Sequence, residues 1–391
     1  MSMRAICWNG VNEVAVASVP EPRILSPHDA IVRVSLSSVC GSDLHLLHGY
    51  VPTMKEGDIL GHEFLGEVVE TGAEVKRVRR GDRVVVSSII GCGQCAYCQS
   101  ELWSLCENSN PHHVVADRIL GDTTAAIFGY SHAFGGFAGS HAEYVRVPFA
   151  DHGAFKVPDG VRDESALFAS DALTTGYMGA ELCDIRPGHV VAVWGCGGVG
   201  QMAIKSAYLL GAERVIAIDR VPERLAMAKA HGGAEVLSYA EVDVQEALRE
   251  MTGGRGPDAC IDAVGMEADG VGLQHAYDRV KQTFRLQNDR PLVLREAMLA
   301  CRKGGTVAIM GVYSGFADKI PLGALMNKAL IVRTGQQHGQ RYIPRMLDLI
   351  QRGDLDPSYL VTHRLCLEDG PRGYRLFEER AEGCMRAVFA P

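Results

Sequence analysis

No apolar run in this sequence approaches the roughly 20 residues that a membrane-spanning helix needs, which excludes a helical membrane protein. An excess of positive charge is missing too. Thirty-nine Lys and Arg stand against 47 Asp and Glu, a net charge of −8, and the one basic run, Lys76 to Arg80, is short and leads into a Gly81-Asp82 turn. Without a concentrated basic patch, neither nucleic acid nor an anionic membrane is expected as a partner. The opening residues, Met1 to Ile6, enter a strand pattern directly with no export leader, so a cytoplasmic location is expected. There is no low-complexity tail and no internal repeat. These absences set the meaning of the twelve cysteines. In a large chain with no route to an oxidising compartment, clustered cysteines point to metal rather than to disulfides.

What is present begins with size: 391 residues, 47% hydrophobic and 22% charged, suit a soluble chain of two domains with separate cores. Residues 1 to about 90 read as short strands with Gly, Pro and Asn punctuation, a barrel-like sheet. Ile31 to Val39 alternates Val32, Val34 and Leu36 against Arg33, Ser35 and Ser37, the period of a half-buried strand. It delivers Cys40, and a second strand opens at Gly61, His62 and Glu63. A thiolate and an imidazole at neighbouring strand mouths suit a borderline-soft ion such as zinc. A third ligand must come from elsewhere, and Asp171 is the candidate, although an acidic residue there also suits an ordinary helix N-cap.

Cys92, Cys95, Cys98 and Cys106, spaced three, three and eight positions apart with Gly91 and Gly93 among them, can wrap one ion tetrahedrally. Four thiolates leave no open position, so this is expected to be a structural zinc. Cys7, Cys183, Cys196, Cys260, Cys301, Cys366 and Cys384 sit among apolar or small residues and are assigned to packing. From Trp103 to about Gly139 periodicity fades, and a long functional loop is expected, with Trp103, Phe134 and Phe137 as an apolar cleft wall.

Val190 to Trp194 is an apolar run of the kind buried in a parallel sheet. Gly195, Cys196, Gly197, Gly198, Val199 and Gly200 follow, then a helix, then a strand ending at Asp219. Glycines at the first, third and last of these places, between strand and helix, with an acidic residue after the next strand, complete a dinucleotide fingerprint. Asp219 should bind the adenosine ribose, favouring NAD over NADP, while Arg220 and Arg224 leave room for a relaxed preference. Further strands at 259–265, 305–311 and 329–333 continue the βα alternation, and an amphipathic helix around Ile343 to Ile350 follows.

With Cys40, Gly61-His62-Glu63, the four-cysteine lobe and Gly195 to Gly200 in this order, the chain resembles the zinc-dependent medium-chain alcohol dehydrogenases over its whole length. Asp171 to Tyr177 resembles the branch holding glutathione-independent formaldehyde dehydrogenase and bacterial secondary alcohol dehydrogenases, and the long polar insert after Gly265 together with the cysteine lobe favours its formaldehyde-dehydrogenase side. The resemblance implies an α/β chain in which a doubly wound Rossmann sheet (173–336) is inserted into a GroES-like, mostly-β catalytic domain (1–172, with the zinc lobe at about 91–106, and 337–391). It implies two zinc ions, a catalytic one on Cys40, His62 and Asp171 and a structural one on the four cysteines, and NAD as cofactor. Ser42 and His45 match a relay carrying the hydroxyl proton outward, Asp43 the acid that orients the ligand imidazole, and Glu63 a residue behind the metal that occasionally ligates it. Thr175, Val264, Gly311, Val312 and Tyr313 would meet the cofactor, and Arg386 its pyrophosphate. The insert, including 274–290, would cover the adenine end. The implied activity is oxidation of a small alcohol or an aldehyde hydrate in a homodimer or homotetramer. A polyol or secondary-alcohol dehydrogenase, and a non-catalytic NAD-binding regulatory protein, are the alternatives.

Overall fold

The computed structural model of the chain describes residues 1–266, 291–313 and 315–391. The expected role of the insert around 270–290 lies outside the described residues. Two compact units are present: Met1–Thr174 with Gln337–Pro391, and Thr175–Gln336.

In the first unit the strands Ala154–Lys156, Arg83–Val86, Glu63–Thr71, Ala30–Ser38, Arg386–Phe389 and Val361–Leu365 follow one another across a seven-stranded sheet, with Tyr144–Val147 also pairing to Ala30–Ser38. A smaller sheet joins Ser2–Gly10 to Glu13–Pro20 and Asp58–Ile59. Val32, Val34, Phe64, Val68, Val84 and Val86 meet in one buried cluster, which holds the two site-bearing strands rigidly side by side. The expected alternation holds at Arg33, which is exposed, but fails at Ser37, which is completely buried. A bulge between Val34 and Leu36 is the cause. One extra residue turns the end of the strand over, and the Ser37 hydroxyl then finds Ser140 Oγ at 2.8 Å. The same bulge re-aims the Cys40 end of the strand.

The stretch after Trp103 is less irregular than its pattern suggested. It contains the helix His113–Leu120 and short turns of 3₁₀ helix at Trp103–Leu105 and His132–Phe134. Val114, Ile119 and Leu120 are exposed on that helix, so its apolar residues do not mark a buried face and leave no periodic signal.

In the second unit six parallel strands lie in the order Glu235–Ser238, Arg214–Asp219, Val190–Trp194, Ala259–Asp262, Thr306–Ile309, Ile331–Thr334. Numbered along the chain this is 3-2-1-4-5-6, the doubly wound dinucleotide order. Val191, Ala192 and Val193 are fully buried because helices cover both faces of a parallel sheet. Each such valine contributes roughly 1.5–3 kcal/mol of hydrophobic stabilisation. The strand order reverses between Val190–Trp194 and Ala259–Asp262, and ligands bind at such reversals, beyond the carboxyl ends of the strands. The last strand is different: all four of its residues are exposed.

Candidate metal centre and nucleotide loop

The bulged strand ends at Ser38 and leads through Val39 to Cys40, which caps the helix Gly41–Leu47. Asp43 on that helix folds back so that its Oδ2 accepts a hydrogen bond from the Cys40 backbone N–H at 2.8 Å. Its Oδ1 faces His62 Nδ1 at 3.2 Å. Burial alone would raise the Asp43 carboxyl, but the facing His62 outweighs it and holds the group below the usual carboxylate range. With Nδ1 claimed in this way, the other ring nitrogen turns toward Cys40 and Asp171.

Asp171 ends a short 3₁₀ turn and is 9% exposed. Its Oδ2 lies 3.5 Å from Cys40 Sγ and 3.6 Å from His62 Nε2, and its Oδ1 accepts from Ser88 Oγ at 3.3 Å. The carboxylate is therefore aimed at the thiol and the imidazole. One ligand atom from each of Cys40, His62 and Asp171 lies within 4.8 Å of the other two. A tetrahedron of bonds about 2.0–2.3 Å long has edges of about 3.3–3.8 Å, so the separations of Asp171 Oδ2 from Cys40 Sγ and His62 Nε2 have the size that zinc ligation requires. A buried thiol, imidazole and carboxylate also form a donor set zinc favours.

The other expected site residues of this unit gather around the same point. Ser42 Oγ is 3.2 Å from His62 Nε2, and His45 lies one turn further along the same short helix, 6% exposed. Glu63 is not among the three clustered groups: its Oε1 accepts from the Ala172 backbone N–H at 2.8 Å and its Oε2 faces Arg386 at 3.6 Å. Burial pushes Glu63 up to about 7 against the pull of Arg386. Arg386, expected at a pyrophosphate, is 2% exposed, donates to the Val39 carbonyl at 2.5 Å and faces Glu63 within its own unit. Glu63 and Arg386 thus hold the backbone of Ala172 and Val39, the immediate neighbours of Asp171 and Cys40. Tyr130, not singled out in the sequence, stands edge-on to His62 at 6.5 Å, and Phe134 stands edge-on to Tyr130 at 5.3 Å. Phe134 therefore approaches the centre through Tyr130. Phe137 instead packs on the main core of the unit, and Trp103 lies over His152 at 5.9 Å.

At the lobe, Cys92, Cys95, Cys98 and Cys106 bring their sulfurs within 4.8 Å of one another, and no cysteine of the chain forms a disulfide. Cys92 Sγ and Cys98 Sγ are 4.0 Å apart, close to the edge of about 3.8 Å expected for a tetrahedral zinc thiolate site. Backbone N–H groups of Gln94 and Cys95 point at Cys92 Sγ at 3.4 Å each, and that of Cys92 points at Cys106 Sγ at 3.3 Å. Donors aimed at sulfur favour thiolates, the form a metal needs. Of the cysteines assigned to packing, Cys366 is exposed and corrects that assignment, because it follows an edge strand; the other six are buried.

In the second unit Gly195 has φ +86°, and a Cβ there would sit 2.6 Å from Val264 Cγ2. A Cβ on Gly200 would fall 1.7 Å from the Gly195 carbonyl oxygen. The two glycines let the loop fold tightly over the start of the helix Gly198–Leu209, behind Gly197 at its N-cap. Asp219 Oδ2 accepts from the Cys196 N–H at 2.7 Å, tying the end of the second strand to this loop, while its Oδ1 accepts from Arg220 and Val221 N–H. Arg224 reaches the loop as well, its guanidinium 3.9 Å from where a Gly197 Cβ would stand. Val264 and Gly265 meet Gly311 and Val312 backbone to backbone, with Met266 N–H donating to the Val312 carbonyl at 2.8 Å. Asp262, not foreseen, organises that meeting: fully buried, it accepts from Val264 and Gly265 N–H at 2.9 and 3.1 Å and from Tyr313 OH at 2.8 Å. An acidic residue closing a β-strand was the available signal. Gly195, Val199, Asp219, Val264 and Gly311 to Tyr313 thus share the carboxyl edge of the sheet, while Thr175 lies in the first turn of Ala172–Leu182.

Residues 26–159 match the family model of the alcohol dehydrogenase GroES-like domain, and residues 198–281 that of the zinc-binding dehydrogenases. The chain is 38% identical over 392 residues to an uncharacterised zinc-type alcohol dehydrogenase-like protein, AdhB, of Bacillus subtilis (strain 168), with 100% of both chains covered. It is 32% identical over 400 residues to glutathione-independent formaldehyde dehydrogenase of Pseudomonas aeruginosa, covering 96% of this chain and 94% of that one. Among solved structures, alcohol dehydrogenase TADH from Thermus sp. ATN1 superposes with a TM-score of 0.82 at 36% identity, covering 99% of each chain.

Proposed function

The chain belongs to the zinc-dependent medium-chain alcohol dehydrogenase family, and on that premise we propose that it oxidises a small alcohol, or the hydrate of an aldehyde such as formaldehyde, with NAD as hydride acceptor. The observation that carries this reading is the convergence of Cys40, His62 and Asp171 with the Ser42 hydroxyl 3.2 Å from His62 Nε2. Zinc on these ligands supplies a Lewis acid that eases loss of a hydroxyl proton, and the nicotinamide supplies the acceptor for the hydride.

The chain's own residues do the rest. Cys40, His62 and Asp171 would hold the ion and leave room on it for the substrate oxygen. One thiolate and one carboxylate balance a double positive charge, so the site keeps its affinity for a neutral alcohol. Asp43 fixes the tautomer of His62, and Glu63 with Arg386 keeps Val39 and Ala172 from shifting the ligands beside them. Ser42 accepts the proton of the substrate hydroxyl, and His45, three residues on and so on the same face of the helix, passes it outward. Asp219 selects NAD, since a carboxylate accepts from a 2′-hydroxyl and repels a 2′-phosphate. The related formaldehyde dehydrogenase supports the aldehyde-hydrate reading. No described helix is long and apolar enough to cross a membrane, in keeping with a cytoplasmic enzyme.

A panel of short alcohols, polyols and aldehydes, read as NADH and NADPH formation, tests this directly. Turnover on none of them returns the chain to a nucleotide-binding, non-catalytic role. Ser42→Ala should lower kcat by about 10²–10⁴-fold, the usual worth of a positioned acid–base group, with both zinc ions retained. Undiminished turnover in that variant removes Ser42 from the proton path.

The exposed last strand supports a homodimer, built further into a tetramer if a second face is used. Ile331 and Val332 are 45% and 36% exposed, and Met326 on the preceding helix is 75% exposed. The Ile331 N–H is spent inward on the Gly305 carbonyl, so by alternation the Val332 N–H points away from the sheet, toward a pairing partner. Val332→Pro removes that donor at an edge position that tolerates proline. Sedimentation should then show a species of half the native mass; an unchanged mass would place the interface elsewhere.

A further inference from the structure

We propose that Ser88 and Gln337 are positioning residues for the Asp171 carboxylate, holding one of its oxygens so that the other is presented to the metal. The assignment rests on the metal site argued above. Ser88 follows the strand Arg83–Val86, and Gln337 is the residue at which the chain re-enters the first unit, 249 positions away. Both are buried, 2% and 3% exposed.

The acceptors on this side set the direction of their hydrogen bonds, at the cost of leaving Gln337 Oε1 buried without a hydrogen-bond partner. Gln337 Nε2 lies 2.7 Å from Ser88 Oγ and 3.4 Å from the Ser170 carbonyl oxygen. A carbonyl only accepts, so the amide must present its NH₂ on this side, and that NH₂ in turn donates to the Ser88 oxygen. A serine hydroxyl has one proton. With its oxygen accepting from Gln337, the proton is free for Asp171 Oδ1 at 3.3 Å. Were the amide reversed, its oxygen would take the Ser88 proton and face another carbonyl oxygen. The Ser88 backbone N–H also donates to the Ser170 carbonyl at 3.3 Å, so both residues grip the peptide directly before the ligand.

An aspartate needs this grip because its terminal torsion is broad and roughly two-fold, and either oxygen can turn toward an ion. Holding Oδ1 leaves Oδ2 as the atom 3.5 Å from Cys40 Sγ and 3.6 Å from His62 Nε2. Partners of this kind, one bond removed from a metal, typically change its affinity or the activity by about 10- to 100-fold when removed.

The test uses the zinc-loaded enzyme and the variants Ser88→Ala, Ser88→Thr and Gln337→Met. Zinc release into an excess of a coloured chelator is followed alongside the melting midpoint, kcat and KM, and the visible spectrum of the cobalt-substituted protein. Ser88→Ala should lower the affinity of one equivalent of metal by about tenfold or more, with an altered cobalt spectrum, while the cysteine-held equivalent is unaffected. Ser88→Thr, which keeps the hydroxyl, should restore retention. Gln337→Met should give a smaller loss in the same equivalent, and it keeps the proposal testable if Ser88→Ala does not fold. Retention equal to the parent in both variants overturns the proposal, as does parallel loss of both equivalents with a lowered melting midpoint. If the parent enzyme carries only the cysteine-held zinc, the metal site itself is refuted; if Asp171→Asn keeps both ions, Asp171 is not a ligand; in either case this assignment falls.

Discussion

Replacing Asp171 by Asn is expected to cost the enzyme one of its two zinc ions and to lower kcat/KM by about 10³-fold or more. The amide is nearly isosteric, so shape is preserved and charge is what changes. Cys40 as thiolate and Asp171 as carboxylate balance a divalent ion; with Asn the site carries one uncompensated positive charge inside a pocket where both residues are nearly buried. An amide is also a poorer zinc ligand than a carboxylate. A metal acting as Lewis acid is worth several kcal/mol to the transition state, and each 1.36 kcal/mol is about tenfold in rate, which gives the estimate of 10³. Metal analysis of the dialysed variant should return one zinc per chain, with circular dichroism unchanged because the cysteine lobe is untouched. Two zinc ions with turnover within tenfold of the parent would remove Asp171 from the ligand set.

The second large effect belongs to the lobe. Cys98→Ser is expected to release the other zinc, lower the melting midpoint by about 10 °C and open the segment 91–106 to proteolysis. Apart from Ser104, the buried side chains between Gly91 and Cys106 are the thiols themselves, Cys92, Cys98 and Cys106, with Cys95, Leu102 and Trp103 half-buried. A segment without an apolar interior relies on the metal for its folding free energy. Outside the lobe, Ser104 N–H and hydroxyl lie 3.3 and 3.1 Å from His338 Nδ1, and Trp103 lies over His152 at 5.9 Å. Burial lowers the His338 imidazole to about 4, so it is neutral and accepts from Ser104. A loss of a few kcal/mol, at roughly 2–4 °C per kcal/mol for a unit of this size, gives the estimate of 10 °C. A melting midpoint within 2 °C of the parent, with one zinc gone, would show that the lobe stands without its ion.

Much of this architecture was legible in the residues because its signals are local. Cys92 to Cys106 carries four ligands within fifteen positions, and a spacing that short restricts them to a common ion. Gly195 to Gly200 is legible for a similar reason. The turn, the close approach and the helix start each demand a glycine, and the flanking apolar runs identify the strand. The misreadings also have local causes. Ser37 was placed on the polar face because a bulge, which no residue type announces, reverses the strand after Val34. The helix at 113–120 was unreadable since its exposed Val114, Ile119 and Leu120 erase the polar-apolar period.

From the sequence alone came the identities of the metal ligands, the class of ion they suit, the nucleotide loop and the order of the sheet's strands along the chain. The cysteine lobe and the nucleotide loop are properties of residue type at short spacing, while Asp171 as partner of Cys40 and His62 came from the family resemblance. The folded chain alone decided which atoms face one another. Asp171 is 131 positions from Cys40, and Gln337 is 249 from Ser88. The resemblance implies a pyrophosphate contact for Arg386, and only the folded chain shows that it also braces Glu63 and Val39. Contacts between such distant positions arise from strand register and from how buried polar groups must pair off. Those are consequences of the whole packing, and no window of residues contains them.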